Sequence, residues 1–502
     1  PIHLSVHLST CLSVYISSVL CDGLMIGIND IQIYIQLQWY IYIYIYIYAV
    51  SNLIIPDHQA DAFVSPEDPD LPASWPDQIV KALLGGLVRW DAQYFIHIAQ
   101  YGYTHENTLA FFPLFPLAVR FVAMIVNIPL QFICNYYSTL LISAVLINFY
   151  LFVKTAVIFH KLSLEVLRNE VLAYRAALLF CINPASIFFS APYSEGIFAF
   201  LTFSSLLLNE TKSTSIAAIP FGMASAARSN GLVNVGFILY RKLQDCSTYF
   251  YKMKYLAVNT SKLGYVTTDV NMVHLSGQMY CGEEGTSPSL APHLEMFVRS
   301  NFLHSPNLGE AEWCYNIPPL AYSHVQDKYW EVGFLRYYES RQVPNFILAL
   351  PVVMIIILHA ALYMVDNPQV IIKIKIIFIQ SNCHSGPTIL DDGEVNQCDS
   401  CLMQLDKTFF LQVTTRLLCS SCPVVYWFAA HLITDHPKRS TGTISKENID
   451  DRPECITNMT KRYTVFLLSE FPKPFWGQVV LSYFFLYFMI GIILYSNFLP
   501  WT

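Results

Sequence analysis

Two stretches of this chain, Val343–Met364 and Val479–Leu499, run about the width of a lipid bilayer without an Asp, Glu, Lys or Arg. A membrane leaves such stretches few options. Every backbone N–H and C=O must find its partner inside the protein, so spans are helices or closed barrels. Further apolar runs lie at Phe112–Ile128, Ser138–Phe159, Leu172–Ile182 with Ala185–Leu208, Ser215–Tyr240, Val370–Ile379 and Phe409–Ile433. The fold class expected is an all-α polytopic membrane protein with about 8–10 transmembrane helices. Only 13% of the 502 residues are charged, roughly half the 25% usual in soluble domains. Aromatic residues reach 15%, which suits interfacial belts. A net charge of -7 excludes a general nucleic-acid surface. Thirteen cysteines in a chain this long do not make a disulfide-dense scaffold.

The N-terminal part, residues 1–51, is atypical. Its Ile-Tyr repeat from Ile41 to Tyr48 has the period of a strand, yet Ile31–Ile55 is long enough for a spanning helix. Low-complexity sequence gives the same pattern, so little functional weight rests on it. Residues 52–502 form the multi-span body, with polar inserts near 241–341, 381–407 and 434–473. Basic residues are spread over loops without a bias that fixes orientation.

Four constellations carry chemical potential. Asp91 stands between Trp90 and an aromatic run containing Tyr94, Phe95 and His97. A carboxylate there is costly unless it is paired or used. It reads either as a general base or as a helix-start residue that caps nearby N–H groups. His97 is six residues on, about 240° around a helix, so the two share a face only loosely. Glu195 opens the apolar run after Pro192-Tyr193-Ser194; it complements a helix dipole or acts as an intramembrane functional group. Arg228, in Arg228-Ser229-Asn230-Gly231, needs an anion, which a buried Glu195 or a phosphate would supply. Phe112–Ile128, broken by Pro113 and Pro116 and carrying Arg120, reads as a span or as a re-entrant piece lining a cavity.

Two metal-like patterns are weaker. Asp68-Pro69-Asp70 matches a D-x-D metal site, but its prolines leave no strand end on which to mount one, and it reads as a solvated loop. Cys398-x-x-Cys401 with Cys419-x-x-Cys422 has zinc-ribbon spacing. The second pair lies inside an apolar run with few polar neighbours, so thiols are the better reading. The sequons at Asn209, Asn259 and Asn458 are about as many as chance gives.

The blocks around these residues resemble the GPI mannosyltransferase 2 family. They are Asn52–Phe63, Trp90-Asp91-Ala92 with Phe95 and Gly102-Tyr103, and Ala110-Phe111-Phe112-Pro113. They continue through Pro192–Glu195, Arg228–Gly231, Tyr329–Tyr338, Gln342–Phe346 and Asn497–Thr502, in order along the chain. The resemblance implies a GT-C type glycosyltransferase fold in the endoplasmic reticulum membrane. It implies a lipid-linked mannose donor, dolichyl-phosphate mannose, a GPI-precursor glycolipid acceptor, and α-1,6 transfer at the luminal face with inversion. It implies Asp91 as the catalytic base; beside it, Trp90, His97, Glu195, Arg228 and Asn230 are the candidate substrate-binding residues. Chemistry alone adds that Arg228 or His97 would steady the leaving phosphate. No cofactor, nucleotide pocket or obligatory metal is expected, and there is room for a small membrane-protein partner subunit. Rival readings are another lipid-linked-sugar transferase of this fold, a transporter using Glu195 and Arg228 as a midplane ion site, and a non-catalytic subunit of a reticulum complex. The chain departs from the pattern at residues 1–51, at 241–306, where a span is missing, and at the insert 381–407.

Overall fold

A computed structural model describes residues 43–58, 62–241, 280–281, 290–306, 311–315, 321–330, 343–368, 414–434 and 474–499, except positions 46, 53, 213 and 240. The described residues are helical or irregular, with no strand among them. The apolar run Val370–Ile379, the insert 381–407, most of 434–473 and the pair Cys398/Cys401 lie outside the described residues.

Among the described residues, three helices are long and apolar enough to cross a membrane. They are α4 (Tyr136–Leu167), α10 (Val343–Asp366) and α13 (Phe475–Ser496). At about 1.5 Å per residue, the 32-residue α4 is near 48 Å long and overshoots the hydrocarbon layer. The Asn135 side chain caps its start by accepting Ser138 N–H. It stops at Arg168, in the left-handed region with φ 50°. Asn169 then caps α5 (Glu170–Cys181) and turns the chain back along α4.

Three other apolar runs are broken, whereas Phe112–Ile128 forms the single helix Leu114–Leu130. Leu172–Leu208 divides into α5, a 3-10 turn at Ser186–Phe189 and α6 (Glu195–Thr211). Pro184 and Pro192 fall in the break, where proline cannot donate to a helix. The irregular segment is nonetheless fully buried at Phe188, Phe189, Ala191 and Tyr193. Non-helical backbone at this depth is tolerated when protein surrounds it. Here Asn148 of α4 donates to the carbonyls of Ala191 and Tyr193. A Cβ at Gly196 would lie 2.9 Å from the Asn148 side-chain oxygen, so a larger residue there would push Asn148 from its place.

Ser215–Tyr240, expected as one span, ends as α7 (Thr214–Ala227) and restarts as a 3-10 turn at Ser229–Asn234. The break falls at Arg228. A Cβ at Gly231 would lie 2.5 Å from the Ser225 backbone, so the turn closes only on glycine. Phe409–Ile433 becomes α11 (Thr414–Ser421) and α12 (Val424–Ile433), bent by 84° at Cys422-Pro423. Counted as one span, this pair is the fourth.

Among the described residues, shorter helices precede α4. α1 (Trp75–Leu84) starts where Asp77 accepts the Ser74 N–H, and Asp77 also takes the Asn135 N–H at the foot of α4. α2 is Asp91–Tyr101, and α3 is Leu114–Leu130. Arg120 of α3 donates to the carbonyls of Ala99 and Gln100, which closes the C-terminal end of α2. The Ile-Tyr repeat is helical at 43–45 and 47–52. There Ser51 bonds Ser496 and accepts from Asn497. A polar layer made of Glu106–Ala110, α8 (Pro292–Ser300) and α9 (Ala321–Trp330) meets the far end of α2, and a disulfide joins Cys281 to Cys314 within it.

Candidate active site

Asp91 is the first residue of α2, and its position is set by the backbone before it. Trp90 has φ 53° and ψ -125°. For a bulky residue this is a strained conformation, held only where the surroundings over-determine it. The surroundings are visible. The Arg89 carbonyl accepts from Tyr193 OH and from Tyr495 OH, and Tyr495 also bonds the Leu87 carbonyl. The Arg89 side chain is held by Asp57, by the Ser496 carbonyl and by the ring of Phe498. The Trp90 ring packs edge-on against Phe498. Two tyrosines from two distant segments thus clamp one peptide, and the strained residue after it delivers Asp91 to the start of a helix. A carboxylate in the first helical turn also faces the positive end of the dipole.

One charged group meets it directly and two more follow behind. Both terminal nitrogens of Arg416, on α11, lie 3.1 Å from Asp91 Oδ2. Its Nε donates to Glu195 Oε1 at 2.7 Å. Arg228 Nη1 stands 2.5 Å from the same Oε1 and 3.4 Å from Ser194 Oγ. The Arg416 guanidinium also lies 4.5 Å from the ring centre of Phe188 and 4.9 Å from that of Tyr193. Two carboxylates and two guanidinium groups form one chain, Asp91–Arg416–Glu195–Arg228. Its burial is graded. Glu195 has no exposed side-chain surface, Arg416 9% and Arg228 13%, whereas Asp91 retains 36%. Glu195 is therefore the inner counter-ion and Asp91 the group at the mouth. Asp91 Oδ1 has no hydrogen-bond partner among the described residues, so this oxygen is the one available to a ligand.

The remaining expected site residues are placed as follows. His97 is not brought to Asp91. Its Nδ1 pairs with Ser65 Oγ at 2.8 Å and its Nε2 with Thr104 Oγ1 at 2.7 Å. Burial, with a smaller contribution from His293, lowers its pKa to about 4. Asn230 lies in the 3-10 turn after Arg228, with its Oδ1 buried and unpartnered. The Trp90 indole nitrogen is likewise buried without a hydrogen-bond partner. Asp68 accepts from Asp70 N–H and Tyr101 OH, which is loop structure. Cys419 and Cys422 are free thiols.

Three features escaped the sequence reading. One is Arg416, although a lone Arg in the apolar run Phe409–Ile433 was signal enough. Another is Glu106, wholly buried and bound by Trp313 Nε1 at 3.0 Å, Lys328 Nζ at 2.9 Å and Tyr329 OH at 2.9 Å. The third is the Cys281–Cys314 disulfide, which spacing does not reveal.

Residues 31–502 match the family described as mannosyltransferase (PIG-V). The chain belongs to that family. It is 36% identical over 477 residues to GPI alpha-1,6-mannosyltransferase 2 of Cricetulus griseus. It is 32% identical over 492 residues to the Homo sapiens protein of that name. It is 32% identical over 471 residues to GPI mannosyltransferase 2 of Drosophila melanogaster. Each alignment covers 90% of this chain and 95% of the relative. No solved structure matches. The chain is thus a polytopic membrane glycosyltransferase of the PIG-V family, which sets the transporter reading aside.

Proposed function

We propose that this PIG-V family member transfers the second mannose of the GPI anchor, in α-1,6 linkage, from dolichyl-phosphate mannose to the precursor glycolipid. The reaction takes place at the luminal face of the endoplasmic reticulum membrane. The observation that carries the reading is the half-open Asp91 carboxylate, held by one oxygen and free at the other. In the transfer, the acceptor hydroxyl oxygen attacks the anomeric carbon from the face opposite the phosphate. Asp91 takes the hydroxyl proton as the new C–O bond forms. The bond from the anomeric carbon to the phosphate oxygen breaks, and its electron pair leaves with dolichyl phosphate. A single displacement inverts a β-linked donor into an α-linked product. The donor arrives already activated as a phosphodiester, so the step calls for neither a nucleotide nor a metal.

The luminal assignment rests on the disulfide. Bonds between cysteines persist in oxidising compartments, the reticulum lumen among them. Cys314 adjoins Trp313, and Trp313 bonds Glu106, which lies just beyond the end of α2. The test is rescue of surface GPI-anchored proteins in cells lacking the second-mannose enzyme. The wild-type chain should restore them. Asp91→Asn should insert normally and lose transfer by at least a hundredfold, the low end of what a positioned general base contributes (about 10²–10⁴). Rescue by Asp91→Asn at wild-type level would refute the base assignment.

A further inference from the structure

The four-charge chain is balanced only while Asp91 turns toward Arg416. Once Asp91 engages the acceptor hydroxyl, the inner three groups remain: Arg228, Arg416 and Glu195. Two cations then share one carboxylate, and the trio carries one net positive charge. That charge is presented in one direction. Glu195 holds the Nε side of Arg416, and Phe188 and Tyr193 lie against its guanidinium. Only the edge carrying Nη1 and Nη2 faces the mouth, where both nitrogens now meet a single oxygen of Asp91. Two parallel N–H donors on a planar fork match the oxygens of a phosphate. Arg228 makes no contact with Asp91, and its Nη1 is taken by Glu195 and Ser194, so it offers the mouth no matching pair of donors.

On this ground, and resting on the transfer reaction proposed above, we infer that Arg416 is the catalytic cation for the donor phosphate and that it exchanges Asp91 for that phosphate when the donor binds. The carboxylate and the phosphate compete for one guanidinium edge. Before the donor arrives, Asp91 fills the edge and keeps two buried cations compensated. As the donor enters, its phosphodiester takes the Nη pair, and Asp91 Oδ2 is released beside the already free Oδ1. The base is thus freed by the presence of the leaving group it must act against. When the C–O bond breaks, the phosphate gains the electron pair and its charge rises while it lies on the fork, where the cation stabilises the transition state more than the ground state. Glu195 touches no substrate in this scheme; it is a positioning residue that holds the fork from behind.

The competition makes opposite predictions for the two partners. Dolichyl phosphate, the product, serves as the probe, bound to the full chain in detergent. Asp91→Asn removes the competing charge and should bind dolichyl phosphate at least threefold more tightly than wild type while losing transfer. Arg416→Gln should bind it at least tenfold more weakly. Arg416→Lys keeps a charge but not the fork; it should bind within about threefold of wild type and show a kcat lowered more than tenfold with KM for the donor little changed. Equal or weaker binding by Asp91→Asn overturns the competition whether or not the Arg416 variants fold. Undiminished binding by Arg416→Gln overturns the phosphate assignment. A wild-type chain that binds no dolichyl phosphate refutes the transfer reading itself, and the inference with it.

Discussion

Glu195→Gln removes one charge from the centre of the site and leaves its shape in place. Glu195 Oε1 receives Arg416 Nε at 2.7 Å and lies 2.5 Å from Arg228 Nη1, with no side-chain exposure. After the change, two guanidinium groups share a neutral amide. Removing one partner from a buried ion pair costs about 3–5 kcal/mol, because the charge left behind stays out of water. Arg228 and Arg416 are 13% and 9% exposed, so solvent screens little of this. Asp91 keeps its hold on Arg416, which places the loss near the lower bound, about 3 kcal/mol. Adding Arg228→Gln removes the stranded cation and restores a one-to-one match between Arg416 and Asp91. The double variant should regain about half of the loss, a coupling on the order of 1–3 kcal/mol. The assay is thermal denaturation of the detergent-solubilised chain, with fraction remaining in solution as the readout. With an unfolding entropy of about 2.1 cal/mol/K per residue, a 3 kcal/mol loss lowers the midpoint by about 3 °C if the chain unfolds as one unit. Single and double variants whose effects add to within about 0.5 kcal/mol would refute the linked chain of charges.

Acidification and the polar layer supply the other tests. His97 has a pKa of about 4 in the folded chain, lowered first by burial, against about 6.5 when unfolded. Between those values the unfolded chain binds more protons, so stability is full above pH 6.5 and falls as pH drops toward 4. The loss is on the order of 3 kcal/mol, and His97→Gln should flatten that part of a stability–pH curve; an unchanged slope counts against a buried neutral imidazole. Glu106→Gln leaves Lys328 and Tyr329 without their carboxylate oxygen. Lys328 is 39% exposed and contributes little, so the expected cost is about 2–3 kcal/mol, mostly from Tyr329 and Trp313. Amide exchange across 321–330 should quicken in that variant, and undiminished protection would remove Glu106 as the anchor of α9.

The sequence discloses the parts of this enzyme that local chemistry determines. Long apolar runs foretell α4, α10 and α13, since length and hydropathy decide a span. A costly carboxylate beside Trp90 points to Asp91, and the need of Arg228 for an anion points to Glu195. Hydropathy hides the breaks. Averaged over a window, Ser215–Tyr240 is a span, although Arg228 stops it. The same averaging conceals Arg416 in Phe409–Ile433, where one charge is diluted by its apolar neighbours. Partners far apart in the chain are hidden for a different reason. Glu106 meets Lys328 across 222 positions, and no local pattern anticipates such a contact. His97 shows the opposite error. It is close to Asp91 in sequence, but helix geometry turns it toward Ser65 and Thr104.

Three of the four charges of the site stand at helix ends, and this placement lowers their cost. Asp91 and Glu195 are each the first residue of a helix, where free N–H groups and the positive end of the dipole favour an anion. Arg228 follows the last residue of α7, where unpaired carbonyls favour a cation. Arg416, the third residue of the eight-residue α11, is compensated instead by Asp91 and Glu195, and the 84° bend after that helix sets its angle of approach. An unbroken span would satisfy its own backbone and leave these charges to side-chain pairing alone. Broken spans supply compensating dipoles of about 0.3–1 kcal/mol each, more where partly buried. They also let short segments approach at angles that a straight span forbids. The prolines and glycines that interrupt the apolar runs, Pro184, Pro192, Gly231 and Pro423, thus belong to the site although none carries a reactive group. They account for why an ion cluster can persist beside Phe188 and Tyr193 in a chain otherwise built to exclude charge.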